Sequence, residues 1–277
     1  MIHSYASLRG LLDFKISRAR NVERPALACA MLLAFLIPGL AGSQRRDPRI
    51  GELPEAEFHL ARVIYRTNRS AGSHGYIQPM WAVDYPLSDE HFFETLKRYT
   101  RIQVADDSRH LELSDDRLFD YPYLWLQQPG SGGWNPTREE AQRLREYLLR
   151  GGFMMVDDFH GDYEWAYFES VMKRVFPEKT FVAVPQSDPL MHIFFDVDQN
   201  VQIPGERHLN FNGAAYMQGP PHWRALYDDD GRLMVMANHN MDIGDAWEHA
   251  DDPNYPLPFT KAAYELGVNY IIHAMTH

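Results

Sequence analysis

The chain has 277 residues, of which 45% are hydrophobic and 13% aromatic, ample for one substantial core. Its 38 acidic residues outnumber 27 Lys and Arg for a formal charge of −11, a surface that repels phosphate backbones and anionic headgroups, so nucleic acid is excluded as a partner and lipid docking disfavoured. The single cysteine, Cys29, leaves the body of the chain with no disulfide, no thiolate nucleophile and no zinc–sulfur site.

Residues 1–43 read as a secretory signal with a long first region. Arg18, Arg20 and Arg24 precede an apolar run from Ala26 to Leu40, and Ala41-Gly42-Ser43 supplies small residues for cleavage. A spanning helix needs about 20 apolar residues; this run has 15 and contains Pro38, so a retained anchor is the alternative and the only route to a membrane. Asp13 and Glu23 within the long leading stretch suggest a true start downstream of Met1. Residues 1–43 hold five Lys/Arg and two Asp/Glu, so the remainder carries 22 basic and 36 acidic residues and a charge of −14. The expected location is the periplasm or cell envelope.

A charged, Pro/Gly-punctuated linker follows at 44–57. Phe58 to Tyr65 is the first strand candidate, and a loop from Arg66 to Asp84 leads to a helix capped by Ser88 with Phe92, Phe93 and Leu96 on one side. Ile102–Val104 and Tyr123–Leu126 are short strands. Gly130 to Trp134 reads as a mobile loop, with no lysine or strand–helix junction to make it a phosphate cradle. Thr137 and Glu140 form a capping box, Ala141, Leu144, Tyr147 and Leu148 recur at helical spacing, and Gly151-Gly152 closes the helix. Phe153 to Val156 is a buried-type strand that ends in Asp157, Asp158 and His160.

From Asp162 to Phe176 a helical stripe of Trp165, Phe168, Val171, Met172 and Val175 runs up to Pro177. Phe181–Val184 is a further strand candidate, whereas 185–231 is too rich in Pro, Gly and Asn to order. Leu233–Ala237 is a second buried strand ending in a polar burst, and an amphipathic helix over about Thr260–Met275 closes the chain. Strands alternating with helices predict an α/β fold, a doubly wound, mostly parallel sheet in a single domain over 58–277.

In such sheets the ligand site lies beyond the carboxyl ends of the strands. Three polar loops then meet: the first holds His74, Trp81 and Asp84, the second Asp157, Asp158 and His160, the third His239, Asp242, Asp245 and Trp247. Carboxylates and imidazoles so gathered suit a divalent metal or acid–base chemistry, with Asp157, Asp158, His160, His239 and Asp242 as candidate metal ligands, while the indoles offer flat apolar faces. Each group also has a structural reading: Asp157 and Asp158 as a helix cap or turn brace, His160 as a structural histidine, His74 as part of a flexible loop, Asp242 and Asp245 as an Asx turn with an N-cap, and Trp247 as core. No G-x-S-x-G, Walker, H-E-x-x-H or G-x-G-x-x-G template is present.

The order of FHLARVIYRT, WAVDYPLSD, LFDYPYLWLQQPG, LREYLLRGGFMMVDDFHG, the Glu164–Pro177 helix, HNMDIGDAWE and LGVNYIIHAMT resembles the bacterial family known as domain of unknown function 4159. That resemblance implies a fold like the class I glutamine amidotransferases, flavodoxin-like, without implying an activity. Amidotransferase chemistry needs a cysteine nucleophile, and none follows position 29. By the same resemblance, neighbours with von Willebrand factor A domains would be envelope partners. Three functions stay open: a binding module for a polar ligand, glycan or partner protein, placed first; a metal-assisted hydrolase using the Asp/His cluster; and a structural envelope subunit. Whether the chain is an enzyme is left open, and no cofactor beyond a possible divalent metal is expected.

Overall fold

A computed structural model of the chain describes residues 56–277, except 68–69, 74–75 and 211–216. The expected signal at 1–43, most of the linker and His74 lie outside the described residues. In chain order the strands are β1 (Ala61–Ile64), β2 (Ser70–Ser73), β3 (Tyr76–Pro79), β4 (Arg109–Glu112), β5 (Tyr123–Gln127), β6 (Phe153–Phe159), β7 (Val182–Ala183), β8 (His222–Tyr227) and β9 (Leu233–His239). Seven of them form one sheet in the order β4-β1-β5-β6-β9-β8-β7, and β2 pairs with β3 separately. The first five run parallel, and β8 and β7 add antiparallel strands beyond β9. Counted in chain order, the parallel strands follow 2-1-3-4-5, the doubly wound, flavodoxin-like arrangement whose order reverses between β1 and β5.

Strand pleating sorts the core into two layers. Tyr123, Trp125, Phe153, Met155 and Met236 face helices α1 (Leu87–Tyr99), α5 (Ile243–Glu248) and α6 (Leu257–Thr276). Leu124, Leu126, Met154, Val156 and Ala237 face α2 (Arg138–Leu149) and α3 (Gly161–Val175). Because both faces are covered, the central strands read as continuous apolar runs, which is why β5, β6 and β9 are legible in the sequence. No helix among the described residues is long and apolar enough to cross a membrane.

The box at Thr137 forms as expected: Glu140 N donates to Thr137 Oγ1 at 3.2 Å and Thr137 N donates to Glu140 Oε2 at 2.7 Å. Gly151, at φ +114°, takes the left-handed turn that ends α2. Other expectations are corrected. Ser88 does not cap α1; it sits inside the helix, and its hydroxyl accepts from Arg62 Nη2 at 2.8 Å. Ile102–Val104 makes only an isolated bridge, Phe58 to Val104, and the edge strand is β4 instead. Nor does β1 adjoin β6, since β5 lies between them. The glycine-rich loop after β5 is packed down: Trp134 is buried, and a Cβ on Gly132 would sit 2.2 Å from the Tyr65 hydroxyl.

Candidate metal centre

The site is built where the parallel strands end. Strand β6 continues past Val156, and its register to β9 slips between Val156 and Phe159. Asp158 takes a left-handed conformation there, φ +54°. A bulge re-aims side chains that a regular pleat would send to opposite faces, and it gives the two adjacent aspartates different tasks. Asp157 Oδ2 accepts the backbone N–H groups of Ile243 and Gly244 at 2.8 and 2.9 Å, bracing the start of α5. Asp158 Oδ2 accepts from Gln128 Nε2, and its Oδ1 lies 2.9 Å from His160 Nε2.

Two further carboxylates arrive from opposite directions. Asp84, φ +68°, ends the excursion made by the β2–β3 pair and a 3-10 turn at Met80–Ala82, and its Oδ2 accepts from Gln127 Nε2 at 2.7 Å. Asp242 is the N-cap of α5, its Oδ1 accepting from Asp245 N at 3.1 Å. Asp84, Asp158 and Asp242 are all buried, at 2%, 8% and 6% exposure, and each offers an oxygen within 4.8 Å of the others. Left-handed non-glycine residues gather on this edge: Asp84, Gln128, Asp158 and Asn240. Such strained positions persist only where the surroundings hold them.

Two imidazoles complete the cluster. His160, His208 and Asp242 offer donor atoms within 4.8 Å of one another, and the two rings meet edge-to-face at 5.0 Å. His208 sits on the short helix α4 (Glu206–Asn210).

The electrostatics of the cluster are unbalanced. Burial first, then the charges of Asp245, Glu248 and Asp158, raise the Asp84 carboxyl well above its usual range. Burial, then Asp158, Asp245 and Asp84, do the same to Asp242. Burial raises Asp157 to about 7 against the opposing pull of the Gly244 amide. The positive groups that act on these carboxylates include His160, whose Nε2 lies 2.9 Å from Asp158 Oδ1, and Arg62, whose charge lowers Asp84 without outweighing burial. Arg62, the buried guanidinium nearby, is spent on Asp89 at 2.6 Å and lies 3.7 Å over the Trp125 ring. Three carboxylates buried this close repel one another and lose hydration, and a divalent ion would relieve both costs.

A third group, Asp245, Glu248 and His249, contrasts with this. His249 is pushed up to about 8, chiefly by its bond to Asp245. Its imidazolium lies 3.5 Å from Asp245 Oδ1 and 3.6 Å from Glu248 Oε2, so that group carries its own counter-charge.

The residues expected from the sequence divide accordingly. Asp84, Asp158, His160 and Asp242 converge, and Asp245 borders them. Asp157 is not among the converging donor groups; its Oδ2 takes both amides of α5. Nor is His239 among the converging donors: its Nε2 donates to the Gly161 carbonyl at 3.0 Å, its ring stacks on His222, and burial lowers it to about 4. Trp247 is core, fully buried and stacked 4.0 Å from Phe92. Trp81 is half-buried and meets the His110 ring in a T-shaped contact at 5.1 Å. Sequence reasoning missed Gln127, Gln128 and His208, the last hidden in a segment without periodicity.

At the ends of β4 and β1 and against the loop that leads into α2 lies a cleft of about 750 Å³ lined by Tyr65, Arg66, Glu112, Asn135, Thr137 and Glu140; none of the cluster residues lines it. It sits where the strand order reverses, the usual place for a ligand in this architecture. Comparison with curated proteins gives no significant match. The chain belongs to the family described as a domain of unknown function (DUF4159), whose sequence model matches residues 59–275.

Proposed function

We propose that this domain is a metal-dependent hydrolase with its ion on Asp84, Asp158 and Asp242. The observation that supports this reading is the convergence of three buried carboxylates whose oxygens lie within 4.8 Å of one another, with the His160 imidazole against one of them. An ion bound there lowers the pKa of a coordinated water and polarises an acyl or phosphoryl oxygen. The protein's share of the reaction is positioning. Gln127 fixes one oxygen of Asp84, and Gln128 and His160 hold the two oxygens of Asp158, which orients both carboxylates toward the ion they would share. In the hydrolysis itself, oxygen from water adds to the electrophilic carbon or phosphorus, the bond to the leaving group breaks, and the proton from water ends on the leaving group. The cleft beside Tyr65 and Arg66 is large enough for the substrate. A mixed oxygen and imidazole environment favours manganese, iron or zinc over calcium.

Elemental analysis of the purified chain tests the first half: we expect at least one stoichiometric metal, lost in Asp158→Asn. Metal-dependent turnover of p-nitrophenyl phosphate or an acyl ester tests the second. A chain without metal, even after dialysis against manganese and zinc, removes the proposal. Bound metal with no turnover across both substrate classes returns the domain to a metal-braced binding module. Export is proposed alongside, on the strength of the basic–apolar–small order in residues 18–43. Intact-mass analysis of envelope-fraction protein should give a chain beginning near Gln44, and a mass retaining Ala26–Leu40 would identify an anchor.

A further inference from the structure

We infer that the centre is binuclear: a second divalent ion is held by His160, His208 and Asp242, with Asp242 bridging the two ions. This rests on the reading that Asp84, Asp158 and Asp242 hold the first. The donor atoms form two trios that share only Asp242, not one set of five. Ligands of a single ion at about 2.1 Å stand no more than roughly 4.3 Å apart; each trio, with its donor atoms within 4.8 Å of one another, needs only a small contraction to grip one ion, and the five together suit two. Two imidazoles and a carboxylate are a metal-binding set in their own right, common in water-activating and non-haem iron sites.

His160 supplies an independent sign. Its side chain is only 12% exposed, and its Nε2 is turned to Asp158 Oδ1 at 2.9 Å. Nδ1 is buried and has no partner. A carboxylate that takes the Nε2–H of a histidine fixes the tautomer and leaves the other nitrogen's lone pair to a metal. Asp158 thereby orients a ligand of one ion while serving the other.

Gly205 shows how closely the bridging group and His208 approach. A Cβ at that position would lie 2.6 Å from Asp242 Oδ2 and 2.9 Å from His208 Nδ1. The glycine leaves room between Asp242, His208 and Asp245, whose Oδ2 would lie 3.3 Å away. A shared carboxylate sets two ions about 3.5–4 Å apart, the spacing that clamps both the attacking and the leaving oxygen of a displacement.

Titrating the metal-free full chain with Mn²⁺ alone, read by calorimetry and electron paramagnetic resonance, tests this. The wild type should take up two equivalents and give the signal of a spin-coupled pair. His208→Ala should bind one equivalent with the signal of an isolated ion, and Asp84→Asn should likewise fall to one. The nearly isosteric His208→Gln, checked by circular dichroism, serves if His208→Ala does not fold. One equivalent in the wild type, two uncoupled ions, or a spin-coupled pair surviving in the His208 variant each overturns the second site and leaves the first standing. No binding at all overturns both.

Discussion

Adjacent aspartates at the end of β6 separate by role, and single substitutions should separate them by effect. Asp157 holds two buried amides of α5, and leaving those donors unsatisfied costs about 1–3 kcal/mol each. Asp157→Ala should therefore lower the stability of the metal-free chain by about 2–5 kcal/mol in urea melts, whereas Asp157→Asn, which keeps an acceptor, should lose far less. Asp158→Ala should remove the first ion's equivalent of metal yet leave metal-free stability unchanged or raised, because it relieves repulsion with Asp84 and Asp242. Leu144, fully buried on α2, is the reference: its truncation should cost about 2–5 kcal/mol without touching metal content. If Asp158→Ala melts as low as Leu144→Ala, Asp158 is a brace and not a ligand. Composition and strand-end position single out both aspartates in the sequence. They do not distinguish them, because the register slip that turns one toward α5 and the other toward His160 is a tertiary event.

At the level of elements, the pieces legible in the sequence are those with a local signature. Helix α2 announces itself through Thr137, Glu140 and Gly151, and Thr137→Ala should cost about 1 kcal/mol in the same melts. Strands β5, β6 and β9 are visible because both of their faces are buried. Strands β4 and β8 were not found: RHLE and HWRALY lack a continuous apolar run, as befits β4 at the sheet edge and β8 beside the two-residue β7. The same limit explains the site. Asp158 and Asp242 follow readable strands, while Asp84 arrives on a hairpin excursion and His208 on a five-residue helix in a segment without period. Gly205, just before that helix, gives a test at this scale. Gly205→Ala places a methyl against Asp242 and His208, and it should reduce metal uptake well below that of the wild type while the fold persists.

For the molecule as a whole, pH separates two opposing contributions. His239 is depressed to about 4 by burial, so its stabilising effect is complete above the ordinary histidine value near 6.5 and is lost as pH falls toward 4. Between pH 7 and 5 this amounts to about 2 kcal/mol, and His239→Gln should flatten that acid limb of the melting curve by a similar amount. The carboxylates act the other way. Asp157, raised to about 7, and Asp84 and Asp242, raised for the same reason, stabilise the metal-free fold most at low pH and lose that effect as pH rises toward 7. Chelation should therefore lower the melting temperature more at pH 8 than at pH 5, and an equal loss at both would show that the carboxylates are not what the metal neutralises. The route by which the donors reach one place has a mechanical meaning as well. They come from positions 84, 158, 160, 208 and 242, in a chain whose lone cysteine lies at 29. A pair of ions gripped between them would be a cross-link over more than half of the folded length, the kind of staple that other domains obtain from disulfides. Loss of the ion would then register as a longer, looser unfolded loop as well as an empty coordination sphere, and resistance to proteolysis would track metal occupancy.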